Sequence, residues 1–227
     1  GYLRNAGVSS AQIDVIHNGI NEAHFATAPD HPAAKAKLGL SGQTVLGFTG
    51  FVRSWHGLDK IIRWMATAGH ENVHLLVVGE GPARAELEAL SQGLNIASRV
   101  TFTGLVHRDR VPEHVAAFDV ALQPAVVEYA SPLKLFEYLA LGRAVVAPRV
   151  PNLMEILSDN DNARLFDPDT PGALELVLDE LCTDAVQRER LGQAARNSIQ
   201  QRGFTWRGNA TRITRLFERS LAARGGK

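Results

Sequence analysis

The segment 131–138, Ser-Pro-Leu-Lys-Leu-Phe-Glu-Tyr, places residues that could bind an anion at the start of a helix. Serine favours the N-cap and proline the first helical position, so Ser131 is expected to cap a helix that begins at Pro132. Lys134 then lies in the first turn without an acidic neighbour, although a positive charge there opposes the helix dipole by roughly 0.3–1 kcal/mol. Free backbone N–H groups and this ammonium could hold a phosphate, and Glu137 could accept hydrogen bonds from sugar hydroxyls. The alternative is a capped surface helix with a solvated lysine.

Two further segments that could contact a ligand follow predicted strands. Residues 50–57 read Gly-Phe-Val-Arg-Ser-Trp-His-Gly, and residues 79–84 read Gly-Glu-Gly-Pro-Ala-Arg. Glycine lets the backbone approach a ligand closely, because it has no side chain. In a parallel sheet the carboxyl ends of the strands and the ligand crevice lie on one edge, so we expect both segments to lie beside residues 131–137.

Cationic side chains lie in or next to all three segments. They are Arg53, His56, Arg84 and Lys134. Together they could neutralise a diphosphate without a metal ion, and we predict no metal site. Each also has an ordinary explanation: Arg53 could be solvated and His56 structural. Arg84 could pair with Glu88 on the same helix face. Their coincidence at one expected edge favours the diphosphate.

Short apolar runs rich in β-branched residues alternate with helical patterns along the middle of the chain. Their starts are about 20 to 30 residues apart, which is the length of one strand-and-helix unit. Because the runs are continuously apolar, we expect strands covered on both faces, as in a doubly wound, Rossmann-like parallel sheet of the α/β class. The predicted strands are 44–49, 73–78, 99–103, 119–122, 144–147 and 163–166, and the predicted helices are 58–68, 83–92, 111–118, 132–141, 153–157, 171–181, 187–201 and 209–222.

The two ends of the chain differ from this middle part. Residues 1–43 contain an Asn-Gly turn and a polar, proline-rich stretch, which indicates an interdomain linker and the start of a domain at 44–203. Residues 204–227 contain a helix without a strand of its own, which we expect to pack partly on a neighbouring domain. Tyr2 and Leu3 precede Gly7 as the end of a helix would, so we expect the domain to belong to a longer protein.

Composition disfavours several classes of protein. With 24 basic and 24 acidic residues the formal net charge is zero, which argues against binding nucleic acid or an anionic membrane through a basic field. No apolar run approaches the roughly 18 residues of a membrane span. Cys182 is the single cysteine and lies in an amphipathic pattern, so we expect it in the core of a protein from a reducing compartment, the cytoplasm.

Standard nucleotide-binding fingerprints are absent from the sequence. The run Gly79-Glu-Gly81 has Arg84 where the dinucleotide pattern needs a third glycine, and no P-loop pattern occurs. A nicotinamide dehydrogenase is therefore disfavoured. The Asp-x-Asp pairs at 159–161 and 167–169 are expected to serve turns and helix caps.

Several ordered motifs resemble the C-terminal, nucleotide-sugar-binding domain of the retaining family 4 glycosyltransferases, which have two facing Rossmann-like domains in the GT-B fold. Residues 15–21 with Phe25 are similar to the family's interdomain element, and residues 46–57 to its phosphate loop in a less common Trp-His-Gly version. Residues 76–82 are similar to its VVGxGP strand and turn, and residues 131–142 to its donor-binding helix. The likeness covers essentially the whole chain, including a final helix that in the family crosses back to the N-terminal domain.

This resemblance implies a nucleotide-diphosphate sugar, UDP- or GDP-linked, as donor and no separate cofactor. It implies that Glu137 binds the ribose hydroxyls, and that backbone amides around Pro132, Leu133 and Lys134 hold the diphosphate and sugar. Backbone groups after the third strand would meet the base. The other implied donor-binding positions are Gly50, Gly57, Gly79, Glu80, Gly81, Leu105, Val106 and Ser131.

Two positions depart from the family pattern. The cations that clamp the diphosphate in many members fall here on Phe51 and His56, and a histidine clamp would weaken as pH rises above about 6.5. The family's first glutamate usually stands eight positions before the second, which is Tyr129 here, while Glu128 lies beside it. Either Glu128 serves or a Tyr129 or backbone contact to the donor sugar replaces it. The predicted catalytic set is Arg53, His56, Lys134 and Glu128.

The sequence therefore predicts the donor-binding half of a retaining glycosyltransferase that moves a sugar from a nucleotide sugar to an unknown acceptor. Because acceptor residues are expected in the family's N-terminal domain, the chain alone is predicted to bind nucleotide without turnover. We expect a cytoplasmic protein, with membrane-peripheral attachment only through the missing domain. The alternatives are a non-catalytic nucleotide-sugar sensor and a sugar-nucleotide epimerase, which would need carboxylates and histidines poised for proton abstraction.

Overall fold

The computed structural model, which describes residues 2–127 and 129–225, is organised around one parallel sheet of six strands. The strands are β1 (Thr44–Thr49), β2 (Val73–Val78), β3 (Val100–Phe102), β4 (Val120–Leu122), β5 (Ala144–Pro148) and β6 (Arg164–Phe166). Their order is β3-β2-β1-β4-β5-β6, so the direction of winding reverses between β1 and β4. The predicted doubly wound α/β fold is confirmed, and in such folds the ligand crevice opens at this switch point.

Helices connect and cover the strands in the described part of the chain. They are α1 (Tyr2–Asn5), α2 (Glu22–Phe25), α3 (His31–Lys37), α4 (Leu58–Met65), α5 (Arg84–Gly93), α6 (Val111–Val115), α7 (Leu133–Ala140), α8 (Pro151–Met154), α9 (Ala173–Thr183), α10 (Ala185–Gln201) and α11 (Trp206–Gly225). Every predicted strand and helix is present, with ends displaced by a few residues. The short helices α2 and α3 were not predicted.

Buried side chains form a layer on each face of the sheet, and β1 runs between them. Leu46 and Phe48 face one layer, while Val45 faces the other. A side chain at Gly47 would meet the buried Phe118 ring, since a Cβ built there lies 2.0 Å from it. The central strand therefore needs a glycine at this position to let α6 and its following residues close on the sheet.

Helix α3 lies in the stretch that the sequence indicates as a linker, yet it packs beside Ala116 and Ala117, which follow α6. Asp30 caps it by accepting from the Ala33 N–H at 2.8 Å, and Ala34 is buried. Lys35 forms an ion pair with Asp119 at 2.7 Å, just before β4. Burial alone would raise the pKa of Asp119, but hydrogen bonds from His31, Lys35 and the Val45 N–H bring that pKa down to about 2.

Residues 17–20, near the start of the chain, contact residues 204–209, near its end. Ile20 donates its N–H to the Phe204 carbonyl at 3.1 Å, and the Asn209 side chain donates to the His17 carbonyl at 2.8 Å. A Cβ at Gly19 would lie 2.7 Å from the Thr205 backbone, so the two segments approach too closely for a side chain there. This contact fixes where α11 leaves the domain.

Helix α11 carries apolar side chains that the described chain leaves exposed. They are Trp206, Ile213, Phe217 and Leu221. None of the helices in residues 2–127 and 129–225 combines the length and the apolar character that crossing a bilayer requires.

Candidate functional site

Strand β1 and helix α7 are locked together at the switch point through a buried tyrosine. The Tyr138 hydroxyl accepts from the Thr49 N–H at 2.8 Å and lies 3.2 Å from the Thr49 hydroxyl. Burial raises the pKa of Tyr138, so the phenol stays neutral and its O–H can donate to the Thr49 hydroxyl. The carboxyl end of β1 is thereby held beside the first two turns of α7.

Helix α7 begins one residue later than predicted. Its N-cap is Pro132 rather than Ser131, and the cap makes no side-chain hydrogen bond. The Ser131 hydroxyl and carbonyl instead accept from the Asn18 side chain, at 3.1 and 3.0 Å. The predicted serine cap is wrong because a residue far away in the sequence occupies its hydroxyl.

Lys134 is a half-buried ammonium at the start of α7. Its Nζ lies 3.6 Å from the centroid of the Phe48 ring, and a Cβ at Gly50 would lie 3.3 Å from it. No carboxylate among the described residues forms an ion pair with it. Burial lowers the pKa of Lys134 to about 7, although the Glu137 charge acts in the opposite direction.

The backbone around this lysine also has unused donors. The N–H groups of Leu133 and Lys134 have no hydrogen-bond acceptor within the described parts of the chain, as is usual for a first helical turn. Two N–H groups and one ammonium, all without a partner among the described residues, therefore lie together at the end of α7 that carries positive partial charge. This arrangement can attract an anion.

Glu137 lies one turn farther along α7, half-buried, and its carboxylate has no hydrogen-bond partner in the described structure. Burial raises the pKa of its carboxyl group, while the charges of Arg108, His24 and Lys134 lower it. An acceptor that is partly removed from water and has no internal donor can receive hydrogen bonds from hydroxyl groups.

His56 is buried, and the structure corrects its expected charge. Its Nδ1 accepts from the Arg53 N–H at 3.1 Å, and its ring lies against Phe48 and Trp55. Burial, and next the Lys134 charge, lower the pKa of His56 to about 4. At neutral pH the ring is therefore uncharged and can donate only from Nε2–H, so a histidinium that loses its charge near pH 6.5 is not present.

Arg53 and Arg84, the other two predicted cations, differ in whether an acid neutralises them. Arg53 is exposed, with its guanidinium 4.9 Å from the Phe51 ring centroid, and no acidic residue among those described pairs with it. Arg84 is held by Glu80 at 2.6 Å and Glu88 at 2.8 Å. Its charge and that of Glu80 are therefore satisfied within the loop and α5.

The glycines after β1 and β2 serve mainly the packing of one loop on the other. A Cβ at Gly79 would lie 2.1 Å from the Gly50 carbonyl oxygen, and a Cβ at Gly81 would lie 2.2 Å from the Val52 carbonyl oxygen. Gly50 and Gly79 also have φ angles of 127° and 143°. Only glycine allows this contact, so their primary role is to bring the two loops together. Gly57, which has a φ of 73°, ends the turn that holds His56.

The remaining predicted positions lie around this edge. Leu105 is 87% exposed, whereas Val106 is partly buried against the core. The preceding Gly104 pairs with Gly79 and so joins the turn after β3 to the β2 loop. Tyr129 is exposed, and Glu128 lies outside the described residues.

The structure therefore brings Lys134, Glu137, His56, Gly50 and Arg53 to the carboxyl ends of β1 and β4. Sequence reasoning missed three anchoring residues, Asn18, Tyr138 and Asn152. Asn18 was visible only as part of an Asn-Gly turn, and the other two gave no signal because their partners are remote in sequence.

A cavity of about 500 Å³ lies at the other end of α7, away from these residues. Arg143 and Arg196 from its lining donate to the same Leu141 carbonyl, at 2.9 and 3.2 Å. They satisfy the carboxyl end of α7 and complement its negative partial charge.

Comparisons with known proteins identify the family and the fold of this chain. The model of the family described as "Glycosyl transferases group 1" matches residues 30–198. A D-inositol 3-phosphate glycosyltransferase from Streptomyces avermitilis is 28% identical over 221 residues, which cover 92% of this chain and 47% of that protein. The structure is similar to sucrose-phosphate synthase from Thermosynechococcus elongatus, with a TM-score of 0.80, 25% identity, and coverage of 98% of this chain and 56% of the other.

A second structural likeness shows the fold alone. Anabaena Alr3699/HepE, solved in complex with UDP, has a TM-score of 0.83 and 22% identity, covering 95% of this chain and 60% of that chain. The chain thus spans less than half the length of the Streptomyces relative and little more than half of either solved chain. Because the match to this family model covers residues 30–198, the chain belongs to the group 1 glycosyl transferases.

Proposed function

We propose that this chain is the donor-binding half of a retaining, family 4 glycosyltransferase of the GT-B fold, and that it binds a nucleotide-diphosphate sugar at the carboxyl edge of its sheet. One observation carries the proposal. Within the described residues, the Lys134 ammonium has no ion-pair partner and the N–H groups of Leu133 and Lys134 have no acceptor; they lie one turn from the Glu137 carboxylate, which has no donor there. In a nucleotide-diphosphate sugar the diphosphate is bonded to a ribose. Its anionic groups match the donors around Lys134, and the ribose hydroxyls match the acceptor Glu137 one turn away.

In this proposal the donor's diphosphate is held by Lys134, by the N–H groups of Leu133 and Lys134, and by the Nε2–H of His56. Arg53 approaches from the exposed loop. Sugar transfer leaves negative charge on the diphosphate while positive charge grows on the anomeric carbon, so fixed donors around the leaving group lower the barrier. A bound diphosphate would raise the pKa of Lys134 and keep it charged.

Glu137 accepts from the ribose hydroxyls, and backbone groups of Leu105 and Val106 meet the base. Glu128, or the backbone beside Tyr129, contacts the donor sugar. Gly50, Gly57, Gly79 and Gly81 shape the loops around the diphosphate, with Glu80 and Ser131 beside them. The base is uracil or guanine; the UDP bound to the structurally similar Anabaena protein supports uracil.

The acceptor site lies in a second domain that the relatives' additional length would contain. The exposed apolar side chains of α11 supply a surface for that domain, as expected for a helix that crosses between domains. The acceptors named for the relatives, such as D-inositol 3-phosphate, are statements about those proteins. We propose a cytoplasmic enzyme whose contact with a membrane, where present, runs through that second domain.

A thermal-shift panel with UDP, GDP, ADP and their sugars tests donor binding. A ligand at 100 times its Kd stabilises the folded state by about 2.7 kcal/mol, which is readily detected. We expect one nucleoside diphosphate and its sugar to raise the Tm, and we expect no sugar transfer by the chain alone. Absence of any shift at millimolar ligand would overturn donor binding, and transfer by the isolated chain would overturn its role as a half enzyme.

A further inference from the structure

The loop between β4 and α7 is held by asparagine side chains from two distant parts of the chain. Asn152, in the first turn of α8, donates from Nδ2 to the Ala130 carbonyl at 2.7 Å and to the Val127 carbonyl at 3.3 Å. Asn18 donates to the Ser131 carbonyl at 3.0 Å. Three carbonyls of this loop are therefore turned toward side-chain amides.

The loop has room to move if these links are lost. A cavity of about 230 Å³ lies beside it, lined by residues that include Asn18, Tyr129, Ser131 and Asn152. Within the loop, the Ala130 N–H donates to the Val127 carbonyl at 3.0 Å, which closes a single turn. The amide links thus connect this loop to a segment near the start of the chain and to α8.

The amide of Asn152 is not explained by the needs of its own helix. Its Oδ1 is buried without a hydrogen-bond partner in the described structure. An unsatisfied buried acceptor lowers stability, so a small apolar residue would suit α8 better. The donated bonds to Val127 and Ala130 are the interaction that this residue type makes possible.

We propose that Asn152 is a positioning residue for the donor sugar. By fixing the Val127 and Ala130 carbonyls, it fixes the orientation of the peptide units that lead into α7 and face the transferred sugar. The inference rests on the proposed function, because it assigns this loop to the sugar rather than to the nucleoside diphosphate, which is held farther along by Lys134 and Glu137.

The test compares a nucleotide sugar with its own nucleoside diphosphate by calorimetry on the same chain. The probes are UDP-glucose and UDP, or GDP-mannose and GDP where the thermal-shift panel selects guanine. Asn152→Asp keeps the shape and Oδ1 but replaces the donating Nδ2 by a carboxylate oxygen. Asn72→Asp is the matched control, since Asn72 donates to the Gly42 carbonyl at 3.0 Å far from α7.

We expect Asn152→Asp to raise the Kd of the nucleotide sugar about tenfold more than the Kd of the nucleoside diphosphate, as two lost hydrogen bonds allow. Asn72→Asp should change both equally or not at all. Equal effects of Asn152→Asp on the two ligands, or no effect, would overturn the inference. If Asn152→Asp fails to fold, Asn152→Ala, which also removes both donated hydrogen bonds, carries the same comparison. If the unsubstituted chain binds neither ligand, the proposed function itself fails.

Discussion

At the scale of single residues, the proposed site depends on the Lys134 ammonium, because burial lowers its pKa toward neutral pH. The pKa of Lys134 is lowered to about 7, chiefly by burial, and in the described structure no acid pairs with it. The residue types at this edge were visible in the sequence, but their charge states were not. His56 is neutral because burial against Phe48 and Trp55, and next the Lys134 charge, lower its pKa, and these contacts depend on the folded loop.

Replacing Lys134 by methionine should separate its roles in binding and stability. Because the folded pKa lies below the unfolded one, the penalty for burying the charge is present below about pH 7 and is relieved as pH rises toward 10.5. We therefore expect Lys134→Met to be at least as stable as the unsubstituted chain at pH 6 and to bind nucleoside diphosphate at least about tenfold more weakly. Urea unfolding and calorimetry measure the two effects.

The pH dependence of binding provides the control. Affinity of the unsubstituted chain should fall between pH 7 and 9 as Lys134 loses its proton, and Lys134→Met should lose this dependence. Lys60→Met, on the exposed side of α4, should retain it. Unchanged affinity in Lys134→Met would show that the ammonium does not contact the diphosphate.

At the scale of elements, the loops after β1 and β2 form one unit that glycines make possible. Val52 donates its N–H to the Glu80 carbonyl at 2.9 Å, and the Ala83 N–H donates to the Val52 carbonyl at 3.2 Å. The glycines were predicted to let a ligand approach, and Gly79 and Gly81 also let the two loops approach, since their nearest neighbours are the backbone of the other loop. Contacts between loops remote in sequence are not visible in either motif alone.

Gly81→Ala should separate these two loops. Its Cβ would lie 2.2 Å from the Val52 carbonyl oxygen, so backbone must move, and we expect a loss of about 1–3 kcal/mol in the free energy of unfolding. Gly93→Ala in α5 is the control: its Cβ would have nothing within 4 Å, and alanine favours the helix. Equal stability of the two variants in urea unfolding would contradict the packing role.

The ion pair between Lys35 of α3 and Asp119 gives a second prediction at this scale. Hydrogen bonds lower the pKa of Asp119 to about 2, so its contribution is present above the unfolded value of 3.8 and is lost as pH falls toward 2. Asp119→Asn should cost about 3 kcal/mol at pH 7, because Lys35 loses its charged partner in a partly buried site. The difference from the unsubstituted chain should shrink below pH 4; a constant difference in chemical unfolding would show that the charge of Asp119 contributes nothing.

At the scale of the whole molecule, the alternation of strand and helix patterns was sufficient to predict the doubly wound sheet and the edge at which the predicted site residues meet. It was not sufficient for connections between remote segments. Ser131 does not cap α7, because its hydroxyl accepts a hydrogen bond from Asn18, which is 113 residues away. Helix α3 was not predicted because it lies in a polar stretch, and its ion pair between Lys35 and Asp119 joins residues 84 positions apart.

The proposed function requires that this edge of the sheet binds a nucleotide-diphosphate sugar with Glu137 on the ribose. Calorimetric titration of the chain and of Glu137→Ala with UDP and GDP tests it most directly, with circular dichroism to confirm that both are folded. We expect the unsubstituted chain to bind at least one of the two nucleotides and Glu137→Ala to lose that binding. Binding of neither nucleotide at millimolar concentration, or undiminished binding by Glu137→Ala, would contradict the account.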